Sequence, residues 1–257
     1  MTVPSVLHIS SRDNPLVKDL RRLAHDSTQY RKQGRVWIEG EHLCLAARTR
    51  GWVPAMAVFS ESFWHLAHMD ITLEAIKIIV LPDALFASLS ALESPASMAY
   101  VLSLSAAEPL DPQVPTVVLD RVQDAGNVGS ILRSSAAFGF SQVLALKGSA
   151  ALWSPKVVRA GMGAHFGLRL IEGLEPEDLT ALQVPLLVTH VHGGAFLHQA
   201  QLPWPCAWVL GHEGQGVAPA IAARAAQRIR IAQPGGEESL NVAAAAAICL
   251  HASGAAR

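Results

Sequence analysis

The sequence predicts two α/β units, the second built on a parallel sheet, and three observations support this. Apolar strand-length runs alternate with helical stretches along nearly all of the 257 residues. A polar segment with three prolines in seven residues, Pro109 to Pro115, interrupts the alternation and reads as a stiff linker. Beyond it, apolar strands separated by helices indicate a sheet covered on both faces. The expected division is a first domain over 1–105, a linker over 106–115 and a second domain over 116–257.

In the first domain, Ser10 to Asn14 supply capping and turn residues before a helix carrying Leu16, Leu20 and Leu23 on one face. Arg21, Arg22, Arg31 and Lys32 bracket a polar loop. Arg35 to Gly40 reads as a short strand, and Glu41 to Arg50 as a helix stopped by Gly51. Ala55–Phe59, Ile76–Leu81 and Met98–Leu104 read as strands, with helices expected at Phe63–His68 and Asp83–Ser88. In the second domain, strands are expected at Thr116–Leu119, Gln142–Leu146, Leu168–Ile171, Pro185–Thr189, Ala207–Leu210 and Arg228–Ile231. Helices are expected at Val128–Phe138, Pro155–Gly161, Pro176–Leu182 and about Asn241–Ala252.

Hydrophobic residues make up 51% and charged residues 16%, ample for a core and unlike a disordered chain. No stretch reads as membrane-spanning, and the opening residues lack the basic-then-apolar pattern of a secretory signal, so a cytoplasmic setting is expected. Cys44, Cys206 and Cys249 are odd in number, far apart and set among apolar residues, which suits buried free thiols. The net charge of −1 is unevenly spread. Residues 1–50 hold nine Lys/Arg against five Asp/Glu, leaving eleven against sixteen elsewhere. Such a basic start suits a polyanion met first at Arg12, Lys18, Arg21, Arg22, Arg31 and Lys32, and equally suits a solvated helix face.

Three patches of the second half look chemical. Asp120-Arg121-Val122-Gln123-Asp124-Ala125-Gly126-Asn127 leaves a strand and enters a helix, where open α/β sheets collect ligands. Asn127 and Arg133 lie six apart, nearly two turns, and can face one cleft. Asp120 and Asp124 read as turn caps. Arg133, among Ile131, Leu132, Ala136, Ala137 and Phe138, calls for an anionic or carbonyl partner. The second patch, Leu210-Gly211-His212-Glu213-Gly214-Gln215-Gly216, lacks dinucleotide or phosphate-loop spacing, and Pro219 interrupts the ensuing helix early. The third is Ile229-Arg230-Ile231-Ala232-Gln233-Pro234-Gly235-Gly236-Glu237-Glu238-Ser239-Leu240-Asn241-Val242, a short apolar strand leading into a Pro-Gly-Gly loop. Its glycines leave main-chain groups free for a ligand, and the alanines after it allow another backbone to come close.

In this order, Asn127-Val128-Gly129 with Arg133, Leu210-Gly211-His212-Glu213-Gly214 and Ser239-Leu240-Asn241-Val242 resemble the motifs of the SpoU/TrmH family. These are RNA 2′-O-ribose methyltransferases of the knotted SPOUT superfamily. Ser154 to Ala164, with Arg159, is similar to the family's middle segment. Asn14-Pro15-Leu16-Val17-Lys18 and Trp37-Ile38-Glu39-Gly40 resemble its auxiliary RNA-binding domain of the L30e type. The family often has proline where this chain has Ala125.

The resemblance implies a trefoil-knotted C-terminal domain, a homodimer through that domain, S-adenosylmethionine as cofactor and RNA as partner. It implies a cofactor site at Thr189, Leu210, Gly211, Gly216, Ile231, Leu240 and Asn241, and RNA contacts that include Arg159. Arg133, Asn127, Glu213, Ser239 and Asn241 would carry the chemistry. A protonated guanidinium is a poor base, so Arg133 reads better as an anchor for phosphate or the 2′-oxygen, positioned by the other four. The L30e-like domain points to ribosomal RNA, with transfer RNA or a catalytically silent assembly factor as alternatives. His190 and His192 could share a strand face toward an ion, but no third ligand is evident and no metal is expected. The six tryptophans sit mostly beside apolar residues and read as core.

Overall fold

The computed structural model describes residues 5–67, 77–105, 108–191, 193–236 and 239–255. In chain order the first elements are β1 (Ser5–His8), α1 (Pro15–His25), α2 (Gln29–Gln33), β2 (Arg35–Glu39), α3 (Glu41–Thr49) and β3 (Met56–Ser60). Then come α4 (Glu61–Ala67), β4 (Lys77–Leu81), α5 (Asp83–Ala87) and β5 (Met98–Ser103). The later run is β6 (Thr116–Asp120), α6 (Ala125–Ala137), β7 (Gln142–Leu146), α7 (Pro155–Gly161), β8 (Arg169–Leu174) and β9 (Leu186–Thr189). It closes with β10 (Ala195–Phe196), β11 (Ala207–Gly211), α8 (Pro219–Ala222), β12 (Gln227–Arg230) and α9 (Val242–Gly254). His68, Ile76 and residues 106–107 of the expected elements lie outside the described residues.

The chain divides into two compact units, one of Met1–Ala106 with Trp153–Phe166, the other of Ala107–Leu152 with Gly167–Arg257. Helix α7 therefore belongs with the first unit, not with its neighbours in sequence. That unit holds a mixed sheet in the order β1-β4-β3-β5-β2. Helix α1 starts where the Asn14 side chain accepts the Leu16 N–H at 2.9 Å and Pro15 fills the first turn. It buries Val17, Leu20 and Leu23 against Trp37, Val58, Ile79 and Phe86, with Leu16 only partly covered. In place of the expected polar loop, α2 forms and ends at Gly34, left-handed at φ 61°. Strand β1 has no counterpart among the expected elements; all four of its residues are exposed, so no burial pattern marks it.

The second unit is a seven-stranded sheet, parallel at every pairing, in the order β10-β12-β9-β11-β6-β7-β8. Its inner strands β6, β7 and β11 are buried along their whole length, as uninterrupted apolar runs require. Pro176–Ala181 winds as a 3-10 turn rather than an α-helix, closed by Glu175 and Asp178 in a capping box. Pro219 opens the short α8 instead of interrupting a helix. The three cysteines are buried; burial pushes the Cys206 thiol up to about 11 and Cys249 to about 12, which leaves both unreactive. Among the described residues no helix is long and apolar enough to cross a membrane.

The proline-bearing stretch is tied to this unit by one fully buried amide. The Gln142 Oε1 accepts the Asp111 N–H at 2.9 Å, while its Nε2 donates to the Asp111 carbonyl and the Thr116 hydroxyl, both at 3.0 Å. Replacing Gln142 by Leu strands those groups, and unfolding by urea should show a loss of about 1–3 kcal/mol. An unchanged midpoint would mean that water substitutes for the amide.

Candidate functional site

Strands β12, β9, β11 and β6 lie side by side and point the same way, so their carboxyl ends form one rim. The sheet grows outward from β6 through β7 to β8, then restarts on the other side of β6. Loops that part at such a switch leave a crevice for ligands. The loop after β6 carries Arg121 to Asp124, and the loop after β11 carries His212 to Gly216. Thr189 ends β9, and Ile231 directly follows β12.

Three distant segments meet there through one chain of hydrogen bonds. The Glu213 Oε1 accepts the Asn127 Nδ2–H and the Asp124 N–H, both at 3.2 Å, and its Oε2 accepts the Gln123 N–H at 3.3 Å. The Asn127 Oδ1 accepts from Asn241 Nδ2 at 3.0 Å. The Asn241 Oδ1 caps α9 by accepting the Ala243 and Ala244 N–H groups at 2.9 and 3.2 Å. Asp124 likewise caps α6, accepting the Asn127 N–H at 2.7 Å. Both asparagine amides thus have a fixed sense, and each helix start is tied to the cluster.

The loop geometry explains which residues are glycine. A Cβ on Gly211 would lie 2.1 Å from the Gly216 carbonyl carbon, so the loop can fold back only on a bare backbone. His212 and Gly216 exchange backbone hydrogen bonds at 3.1 and 2.8 Å, and His212 Nδ1 accepts the Gly214 and Gln215 N–H groups. Asp120 is not a turn cap. It is 2% exposed and accepts the Ala218 N–H at 2.6 Å and Arg121 Nε at 2.8 Å. Arg121, left-handed at φ 61°, then donates from NH1 to Gln215 Oε1 at 2.9 Å. Nothing in the sequence marks this strut between the two loops, because a left-handed arginine leaves no local signature.

The expected site residues divide into two groups. Asn127, Glu213 and Asn241 are joined, while Thr189 donates to the Val209 carbonyl at 3.5 Å and the Leu210 side chain is wholly buried, leaving only its backbone to a ligand. Arg133, Ser239 and Leu240 are exposed, and among the described residues no hydrogen bond joins Arg133 or Ser239 to the cluster. The apolar company expected around Arg133 is on the opposite face: α6 buries Val128, Ile131, Leu132 and Ser135 and turns Arg133 outward. His190 falls just past β9 and His192 lies outside the described residues, as do Glu237 and Glu238. Arg230, next to Ile231, rests its guanidinium 3.8 Å from the centre of the Phe196 ring, a contact with no sign in the sequence.

In the first unit, Arg12, Lys18, Arg22, Arg31 and Lys32 are all exposed, while Arg21 is half-buried and donates to Ser88 Oγ at 3.0 Å. Lys18, Arg21, Arg22, His25 and Asp26 line an open recess of about 630 Å3. Lys18 is paired with Asp13 at 2.9 Å. Arg159 is exposed on α7 and reaches the Ala91 carbonyl at 3.5 Å.

Burial disfavours the charge on Glu213, but hydrogen bonds from its own N–H, the Asn127 amide and the Asp124 and Gln123 N–H groups outweigh it and hold the carboxyl below the usual range. A lowered folded-state value means the cluster contributes fully above the ordinary glutamate pKa and is lost as pH falls through the depressed one. Thermal melts should therefore show an acid-side loss of stability that Glu213→Gln reduces. Parallel pH profiles for the two proteins would show that the cluster does not depend on the charge.

Known proteins are similar to this chain over most of its length. The model of the SpoU rRNA Methylase family matches residues 115–251, and that of the MRM3-like substrate binding domain matches residues 14–99. A 23S rRNA (guanosine(2553)-2′-O)-methyltransferase of Bacillus subtilis (strain 168) is 30% identical over 248 residues, 95% of this chain and 97% of the relative. A Porphyromonas gingivalis protein assigned to the TrmH family of RNA methyltransferases superposes with a TM-score of 0.82 at 29% identity, covering 94% of this chain and 97% of its own. An AdoMet-bound rRNA methyltransferase from Sinorhizobium meliloti shares the fold, with a TM-score of 0.83 at 24% identity over 96% and 97%.

Proposed function

The chain belongs to the SpoU rRNA methylase family, and from that premise we propose that it methylates the 2′-oxygen of a ribose in ribosomal RNA, with S-adenosylmethionine as donor. The observation that carries this reading is the hydrogen-bonded chain Glu213–Asn127–Asn241, which unites the three motif segments on one rim of the sheet.

Several features of the rim suit the cofactor. Nothing lies within 4 Å of where a Cβ would stand on Gly216, Gly235 or Gly236, so a ligand has room to approach beside each of them. Leu240 is 39% exposed, an apolar surface beside polar groups. The Gln233 Oε1 is buried without a hydrogen-bond partner, an acceptor suited to an amine of the adenine kind. Thr189, Leu210, Gly211, Gly216, Ile231, Leu240 and Asn241 would hold the cofactor, the first three strand-end positions through backbone. When bound, it supplies an electrophilic methyl group on a sulfonium.

The protein's own part is to hold the ribose and manage charge. Arg133 presents its guanidinium to solvent, with its donors open to an incoming phosphate or 2′-oxygen. In that role it stabilises negative charge as the oxygen–carbon bond forms and the hydroxyl proton leaves. The cluster fixes the start of the helix that carries Arg133, and Ser239 adds a hydroxyl two residues before Asn241. The basic face of the first unit, Arg12, Lys18, Arg21, Arg22, Arg31, Lys32 and Arg159, takes the RNA backbone. The reading includes a cytoplasmic homodimer through the C-terminal domain, supported by the outward Ala244 and Ile248 of α9.

Arg133→Ala should lower turnover on unmethylated ribosomal RNA by about 100-fold or more, with cofactor affinity by calorimetry little changed. Arg133→Lys should also fail if the planar fork matters; near-normal turnover of the alanine variant removes Arg133 from the mechanism. Changing Arg21 and Arg22 together to Ala should weaken RNA binding and flatten the plot of log affinity against log salt by about one to two units of slope. An unchanged slope would place the RNA elsewhere.

A further inference from the structure

The first unit contains a second concavity, apart from the basic recess on α1. Leu43, Leu92, Pro155, Val158 and Met162 wall a cleft of about 190 Å3. Its size falls below the roughly 300 Å3 of a typical small-molecule pocket and suits a single flat ring system. The wall is held in place rather than left to collapse. The Glu39 carboxylate, at one end of the cleft, accepts the Ser90 hydroxyl, the Ala96 N–H at 3.3 Å and Trp37 Nε1 at 3.4 Å. Those bonds pin the loop that carries Leu92, and they commit the acid to its own chain.

Two side chains of the lining are not consumed by the core. Met162 ends α7 as its left-handed cap at φ 47°, its N–H donating to the Arg159 carbonyl at 3.2 Å, a conformation that L residues other than Asn and Asp rarely adopt. A Cβ on Gly161 would lie 2.5 Å from the His165 ring, and one on Gly163 would lie 2.7 Å from Ala46 Cβ, so the chain turns there between two bare backbone positions. The Met162 side chain is 45% exposed and lines the cleft, a polarizable thioether kept at the surface. Arg159 also lines the cleft, with a single long bond to the Ala91 carbonyl at 3.5 Å, and Lys156 lies one turn before it on α7, exposed. A mainly apolar slot with the Arg159 guanidinium in its lining, and Lys156 one turn away on the same helix, complements a flat aromatic group that carries negative charge on its tether.

We propose that this cleft takes one unstacked nucleobase of the substrate RNA. The base lies between the apolar walls and Met162, and its phosphate meets Arg159 and Lys156. Single-stranded bases splayed from a folded RNA are the form in which proteins read them. The inference rests on the reading that RNA is the substrate and adds a contact to a base, where the basic face of α1 meets only backbone.

Two variants test it. Leu92→Trp fills the slot; Met162→Gly removes the thioether and at the same time relieves the left-handed strain, so it should melt no lower than wild type. Tritiated methyl transfer to ribosomal RNA from a strain lacking the gene should show the KM for RNA raised about tenfold in each, with kcat falling no more than about twofold. Folded variants with a wild-type KM, or with kcat lowered at unchanged KM, overturn the base-binding role. If Leu92→Trp does not fold, Met162→Gly decides. Should the wild type transfer no methyl group, the functional reading fails separately. Filter binding of the same RNA by wild type and Met162→Gly still decides the cleft, equal affinities or no binding counting against it.

Discussion

The Glu213 carboxylate bears most of the organisation of the second unit's rim. It accepts two backbone N–H groups from the loop after β6 and the Asn127 amide from the start of α6. Asn127 then passes the connection to Asn241, which caps α9. A carboxylate that satisfies donors on another loop holds that loop by charge-assisted bonds, each stronger than its neutral counterpart. The caps themselves, Asp124 on α6 and Asn241 on α9, are separate bonds, so Glu213 links two helix starts that are each capped on their own. The bonds to Glu213 keep the acid ionised, so the cluster's integrity and its charge depend on each other.

A second constraint works from below. Asp120 is buried at the end of β6 and would be costly there unpaired. It is matched by Arg121 and by the Ala218 N–H, and Arg121 continues to Gln215. The loop bearing Glu213 is thus held on its C-terminal side, at Gln215 and Ala218, by this pair and near its start, at Glu213, by Gln123, Asp124 and Asn127. Gly211 lets the loop turn back without collision. With the backbone so determined, the exposed Arg133 is left to adjust, which suits a residue that must meet an incoming substrate.

The first unit supplies a different kind of surface. Its sheet buries Trp37, Val58 and Ile79 beneath α1, and the outward side of that helix is left to Lys18, Arg22 and His25. The division follows from helical periodicity: four apolar positions commit one face to the core, and the remaining face can only be polar. Helix α7 completes this unit although its sequence neighbours belong to the other, and with it come Arg159, Met162 and the small cleft.

Much of this is legible in the residues. The bounds of Gln142–Leu146 and Pro155–Gly161 can be read directly, because an uninterrupted apolar run and a Ser-Pro start are local signals. The three motif segments are likewise visible as glycine loops after strands. Their order along the chain and their resemblance to a known family identify the candidate site before any geometry does. Features decided by partners far away in the chain leave no such mark. Strand β1 exists only because β4 offers it hydrogen bonds; the face on which Arg133 emerges depends on what α6 packs against; Asp120 ties two loops rather than capping a turn because the Ala218 N–H comes to it across 98 positions. Composition, periodicity and capping act over a few residues, and these determined the class of fold and the candidate residues. The pairing of Glu213 with Asn127, the bond from Arg121 to Gln215 and the attachment of α7 are long-range contacts, and only the folded chain decides them.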